Sequence, residues 1–285
     1  MNDSSPTQDP EKETETEKET EKETEKETET ETETETETEI PQDHPRYQSL
    51  ITRHRIEEGV DTGITSPQGL IAEGRGEAFD YLLGEKTTSS ADDAARAAAA
   101  LLLHAEHPVI SVNGNVAALV PEAIVELAEV VEADIEVNLF NRTEKRMNAI
   151  ADHLYDHGAQ TVKGLKADDQ IPGLDHERGT VDADGIGAAD VVLVPLEDGD
   201  RAAALDAVGK REIVIDLNPL SRSALAATVP IIDNVIRAVP NITEHASALK
   251  QADNVALTTV INRFDADEVR ERAEQEIRRG ELRSS

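Results

Sequence analysis

Arg75 stands between two glycines, Gly74 and Gly76, within a largely apolar stretch from Gly69 to Leu83. A guanidinium is a planar fork of donors that matches phosphate or carboxylate oxygens. Flanking glycines let a ligand or another backbone come close. The spacing reads as a Gly-Arg-Gly turn that binds an anion; an ion pair with Glu77 or Asp80 is the structural alternative. Arg53, on a helix nearer the N-terminus, is a second cation of interest. Four polar strings have the composition of ligand loops: Asn113-Gly114-Asn115, Asn138 to Arg142 with Thr143, Glu197-Asp198-Gly199-Asp200-Arg201, and Asp216-Leu217-Asn218-Pro219-Leu220-Ser221-Arg222-Ser223. Asn-Gly also makes a plain turn, and Asp198 and Asp200 at a helix start also complement its dipole. Arg222 and Ser223 precede a short helical stretch, whose first amides can hold an anion.

Several chemistries lack their residues. There is no Cys, so disulfides, thiolate metal sites and a Cys nucleophile are excluded. No Gly-x-Gly-x-x-Gly follows a strand, and Gly209-Lys210 is followed by Arg211 rather than Ser or Thr. A standard nicotinamide site and a P-loop are therefore disfavoured. His153 and His157 share a helix face but have no third ligand near in sequence, so no metal site is assigned. No Gly-x-Ser-x-Gly elbow supports a serine hydrolase.

The four strings follow short apolar runs, and those runs must position them. Candidate strands are 109–112, 135–139, 191–195, 213–216 and 229–232, with a weaker one at 161–163. Helical stretches alternate with them at 121–132, 143–157, 201–208 and 234–250. Near-continuous apolar strands between helices predict an α/β fold, a Rossmann-like, doubly wound, mostly parallel sheet with both faces covered. An N-terminal helical segment precedes it: a helix ending near Gly59, another over 69–83 broken at Gly74 and Gly76, and an Ala-rich helix capped by Ser90. Helices near 253–263 and 267–279 close the chain. The expected divisions are an acidic tail (1–39), the helical segment (40–107) and the α/β core with its C-terminal helices (108–285), with 40–285 as one unit. Open α/β sheets bind ligands beyond the carboxyl ends of their strands, where the four strings lie.

The net charge is −32. Residues 1–43 hold 15 Glu, three Asp and four Lys, which puts −14 there and leaves −18 for the remainder. From Glu11 to Glu39 no apolar residue appears, so nothing offsets the entropy of ordering, and a disordered charge brush is expected. The acidic, Lys-poor remainder predicts a halophilic protein whose self-repulsion molar salt screens. Duplex nucleic acid is disfavoured as a partner, because no basic cluster stands out. No apolar run is long enough to span a bilayer, and the acidic N-terminus is unlike a secretory signal, so a cytoplasmic protein is expected.

Longer strings carry a resemblance. Ile40-Pro41, His44-Pro45-Arg46-Tyr47 and Ser49-Leu50, then GLIAEGRGEAFDYLLGEKT (69–87), PVISVNGNVAALVPE (108–122), EVNLFNRTEKR (136–146), IPGLDHERG (171–179), ADVVLVPLEDGDR (189–201), IDLNPLSRS (215–223) and IIDNVIRAVPN (231–241) resemble, in order, the blocks of archaeal phosphopantothenate synthetases. The resemblance implies a Rossmann-like homodimer, here from a haloarchaeon, that joins 4-phosphopantoate to β-alanine using ATP with Mg²⁺. AMP and diphosphate would be released through an acyl-adenylate, on the route to coenzyme A. Carried over by position, the ATP site comprises Arg53, Arg75, Asp216, Leu217, Asn218, Arg222, Ser223, Asn234 and Val235. Arg75 and Arg222 are the catalytic candidates. Asn113, Asn115, Asn138, Arg142, Asp198, Asp200 and Arg201 are candidates for the other two substrates. Glu73 departs from the family pattern, where His is frequent, and no role is carried over to it. A non-catalytic nucleotide-binding protein of the same fold is the alternative.

Overall fold

Val191–Pro195 is apolar and buried at every position, as a strand covered on both faces must be. It lies in the sheet of a computed structural model that describes residues 40–41, 43–44, 46–196 and 199–280. The expected tail at 1–39 and the pair Glu197 and Asp198 fall outside the described residues. The chain divides into two units, residues 1–47 and 48–285, and every described strand belongs to the second.

Three helices come first: α1 (Tyr47–Asp61), α2 (Pro67–Leu83) and α3 (Ser89–His104). The α/β part follows as β1 (Pro108–Val112), α4 (Gly114–Leu119), α5 (Pro121–Val131), β2 (Asp134–Val137) and α6 (Glu144–Asp156). An excursion carries two-residue strands β3 (Asp169–Gln170) and β4 (Thr180–Val181), paired antiparallel. The chain then returns through β5 (Val191–Pro195), α7 (Gly199–Ala207), β6 (Arg211–Asp216), α8 (Arg222–Ala226), β7 (Val229–Ile232) and α9 (Val235–Leu249). Helices α10 (Asn254–Arg263) and α11 (Ala266–Arg279) end the described part.

The five longer strands form one parallel sheet in the order β2-β1-β5-β6-β7. Successive side chains alternate between two cores. Ile110, Val112, Leu193, Ile213 and Ile215 meet the alanines of α3 and apolar residues of α5, α6 and α9 on one side. Val109, Val192 and Val194 meet Ile171, Leu174, Val181, Ile186 and Leu205 on the other. The strand order reverses between β1 and β5, which makes the carboxyl edge there the favoured ligand crevice.

Four local expectations are corrected. Helix α2 runs unbroken through Gly74 and Gly76. An interior glycine costs a helix only ~1 kcal/mol, and Phe79 and Leu83 on α2 are buried in a third apolar cluster that holds it down. Helix α3 is capped by Thr88, which accepts from the Ala91 amide at 3.3 Å, while the Ser90 hydroxyl donates to Glu276 on α11. The weak strand at 161–163 reduces to one bridge, Glu136 to Lys163, because Gly164 at φ +95 turns the chain away. The Asn113-Gly114 turn opens a short helix, α4, with Asn113 as its cap.

Thr143 caps α6 by accepting from the Arg146 amide at 3.3 Å. Thr143→Ala is expected to cost ~1 kcal/mol, read as a lower urea midpoint with an unchanged slope.

Candidate functional site

The carboxyl edge of the sheet is built from loops that hold one another. Asn113 donates through Nδ2 to the Pro195 carbonyl at 3.1 Å, tying the end of β1 to the end of β5. Its Oδ1 accepts from the Asn115 and Val116 amides at 3.0 and 3.1 Å, so one side chain caps α4 and closes the switch point. Arg222 donates to Asp200 at 2.7 Å, bridging the loops after β5 and β6. Asp216 folds its own loop: Oδ1 accepts from the Leu217 and Asn218 amides at 2.7 and 3.1 Å, and Oδ2 accepts from the Ser221 hydroxyl at 2.5 Å. Ser221 in turn accepts from the Ala224 amide and caps α8. Leu217 packs against the cluster of Phe79, Leu83, Ala224 and Ile232, and Ser223 is buried.

Helix α2 lies across this edge. Gly69 is at the β1 end: its carbonyl accepts from Asn115 Nδ2 at 3.0 Å, and a methyl in its place would strike Asn115 and Thr65. Gly76, two turns on, is beside Asn234, which caps α9 after β7. A Cβ on Gly76 would stand 2.9 Å from Glu73 Oε1 and 3.0 Å from Asn234 Nδ2. Residues 69, 73, 76, 77 and 80 thus share one helical face, which has no side chain at 69 and 76 and a carboxylate at each of the others.

Those carboxylates sit in a charged cluster. Arg237 forks onto Asp80 (Nη2 to Oδ1 2.6 Å, Nη1 to Oδ2 3.2 Å) and reaches Asp233 Oδ1 at 2.7 Å. Asp80 also accepts from Asn234 Nδ2 at 3.3 Å, and Asp233 from the Thr87 hydroxyl at 2.7 Å. Arg53 forks onto Glu77 at 2.5 and 3.0 Å. Burial raises the Asp80 and Asp233 carboxyls above the usual aspartate value even with Arg237 opposing it. Among the described residues Glu73 has no such counterion. Burial first, then the charges of Asp80 and Glu77, push it up to about 7. Arg75 projects from the same helix into solvent.

The β2 end is separate. Asn138 is buried and donates to the carbonyls of Arg178 and Thr180 at 3.3 and 3.1 Å. Arg142 donates through Nη2 to the Gly164 carbonyl. Asn138 Oδ1 and Arg142 Nη1 are buried and have no hydrogen-bond partner among the described residues. Arg201 is buried with Nη1 3.2 Å from the Ser111 hydroxyl. Asp198 lies outside the described residues. Glu136 is fully buried and accepts from the Asp182 and Ile186 amides at 3.1 and 2.6 Å. Burial pushes its carboxyl up to about 7, against those two amides.

Comparison with known proteins adds the lineage of these blocks. The family described as phosphopantothenate/pantothenate synthetase matches residues 90–280. A protein of Thermococcus kodakarensis named 4-phosphopantoate–β-alanine ligase is 53% identical over 227 residues, covering 79% of this chain and 87% of the relative. Proteins of the same name from Thermococcus onnurineus (55% over 228 residues) and Methanospirillum hungatei (56% over 223 residues) cover 79% and 78% of this chain, and 87% and 91% of their own length. The chain belongs to the phosphopantothenate/pantothenate synthetase family.

Within this synthetase the structure brings together most of the residues expected for the ATP site. Asp216, Leu217, Asn218, Arg222 and Ser223 form one loop and helix start, with Asn234 and Val235 following the adjacent strand. Arg53 is linked to that region through Glu77 on α2. The sequence reading carried no role over to Glu73, named Asp80 only as an alternative partner for Arg75, and did not single out Asp233 or Arg237. Their signal was in the spacing: 73 and 80 recur at i and i+7 with glycines at 69 and 76, and 233 and 237 stand at i and i+4.

Proposed function

We propose that this synthetase condenses 4-phosphopantoate with β-alanine in an ATP-dependent reaction that yields 4′-phosphopantothenate, AMP and diphosphate through an acyl-adenylate, in coenzyme A biosynthesis. The observation that carries this is identity above 50% across most of the chain to relatives of that name. A carboxylate is a poor electrophile and must be activated before an amine attacks it. Arg222, exposed at this edge, and Arg75, exposed on α2, are our candidates to supply charge for the phosphates and for the diphosphate as it leaves. Asp216 sets the loop that presents the Leu217 and Asn218 backbone, and Asn234 faces α2 from the next strand.

The buried, unpartnered Nη1 of Arg142 and Oδ1 of Asn138 suit a polar substrate group near the β2 end. Asn113 and Asn115, after β1, and Asp200 and Arg201, after β5, are our further candidates for contacts to the other two substrates. Among the described residues no group of three His, Asp or Glu side chains is placed to hold a metal. Mg²⁺ would enter with the ATP phosphates, where it would neutralise charge. Exposed Leu70, Ile71, Tyr81 and Leu82 on α2 form an apolar face suited to a homodimer. A cytoplasmic, salt-adapted enzyme is consistent with the −32 charge.

The test is to incubate the protein in molar KCl with Mg·ATP, 4-phosphopantoate and β-alanine, and to follow nucleotide products. AMP that accumulates only with both co-substrates, together with phosphopantothenate, is the expected result. ADP instead would replace the adenylate by an acyl-phosphate. ATP binding by the folded protein without turnover would replace the ligase by a nucleotide-binding function.

A further inference from the structure

Formation of the amide needs a step that the arginines do not supply. β-Alanine carries an ammonium group at neutral pH, and its nitrogen has no free lone pair until a proton leaves. A proton acceptor must therefore stand at the edge where the activated acyl group is held. We propose that the Glu73 carboxylate is that acceptor, an inference that rests on the ligase reading above.

The geometry is specific. Glu73 lies on the α2 face bounded by Gly69, which packs on Asn115 at the β1 end, and Gly76, which packs on Asn234 at the β7 end. The two glycines leave that face without side chains on either side of it. Glu73 Oε1 and Asn234 Nδ2 approach the same point, 2.9 and 3.0 Å from a Cβ placed on Gly76. The charged groups around it already have partners: Glu77 holds Arg53, and Asp80 and Asp233 share Arg237. Glu73 forms no ion pair with any of these cations, and the neighbouring charges, Glu77 and Asp80, are both negative. Such surroundings favour proton uptake, and an acceptor that titrates near neutrality is suited to take a proton and release it again.

In the step, one N–H proton of the ammonium passes to the Glu73 carboxylate. The freed lone pair attacks the acyl carbon, and the C–O bond to AMP breaks with its electron pair leaving on the phosphate. The nitrogen loses its second proton to solvent as the amide forms. Glu73 then returns its proton to solvent, so the products are the amide, AMP and two protons.

Glu73→Gln separates the half-reactions. We expect the variant to lose ~100-fold in β-alanine-dependent kcat. It should keep the phosphopantoate-dependent exchange of labelled diphosphate into ATP. Hydroxylamine is largely unprotonated at neutral pH, so hydroxamate formation with it should fall much less than turnover with β-alanine. In the unsubstituted protein, β-alanine turnover should rise with pH and level off above about 7, the carboxylate being the active form, whereas in Glu73→Gln it should stay low at 7 and go on rising well beyond, because the free amine must then come from solvent. Glu73→His, which keeps a group titrating near neutrality, should recover most of the lost turnover. Loss of exchange in parallel with amide formation, equal loss with hydroxylamine, or undiminished β-alanine turnover would each overturn the proposal. Failure of the unsubstituted protein to form phosphopantothenate would instead overturn the ligase reading.

Discussion

Arg237→Met is expected to destabilise the fold by about 3–5 kcal/mol at pH 8, and by clearly less at pH 5. Arg237 is 14% exposed, and the carboxylates that it bridges, Asp80 and Asp233, are 5% and 2% exposed. Burial acts to lower the guanidinium, and the two aspartates outweigh it and raise it, so it stays charged. Met fills a similar volume but leaves two buried carboxylates a few ångströms apart with no cation.

The sign of the pH effect follows from the aspartates. Both are already raised above their unfolded value, so above that value the folded state binds more protons than the unfolded chain. Each therefore contributes less stability as pH rises through its folded value. Removing Arg237 raises both further and widens that window upward. The deficit is largest where both carboxyls are forced to ionise and shrinks as pH falls and they take up protons. Urea unfolding in molar KCl at pH 5 and pH 8 measures it. An equal deficit at both pH values would mean that lost packing, not charge, explains the effect. Adding Asp80→Asn to Arg237→Met should restore part of the stability at pH 8, because one of the two unpaired charges is then gone.

The sheet was legible because its strands are continuous apolar runs. A strand buried on both faces leaves little room for polar residues, and the runs at 109–112, 191–195, 213–216 and 229–232 match strands to within two residues. The loops after them were legible for the converse reason: polar strings such as Asp216 to Ser223 have no other place in a buried sheet. Strand order was not. The pairing of β1 with both β2 and β5 depends on contacts between distant segments that periodicity does not encode. The path of α2 was misread because a glycine pair suggests a break by propensity alone. In the structure the missing side chain at 76 makes room for Asn234 and Glu73. The triad of Asp80, Asp233 and Arg237 was not legible, since the burial of Asp80 and Asp233 and their meeting with Arg237 are tertiary properties.

Arg222→Ala separates catalytic from structural arginines at the same edge. Its side chain is 72% exposed and its ion pair is with Asp200, itself 64% exposed. A pair in that much water contributes little to stability, so the unfolding midpoint should stay close to that of the unsubstituted protein. Its charge nevertheless stands at the loop proposed to receive the triphosphate, where negative charge builds as diphosphate leaves. Loss of one such donor typically costs ~10²–10³-fold, and that is the fall expected in kcat/KM for ATP. Arg222→Lys keeps the charge but not the planar fork, so it should fall between the two. Steady-state kinetics divide the effect: a fall carried by kcat assigns the contact to the transition state, and one carried by KM assigns it to ground-state binding. Asp200→Asn completes the argument. Asp200 competes with phosphate for the same guanidinium, so removing its charge should lower KM for ATP with kcat little changed. If Arg222→Ala retains full kcat/KM while Asp200→Asn leaves KM where it was, the triphosphate is held elsewhere along the edge, and Arg75 and Arg53 on the helices above become the residues to replace next.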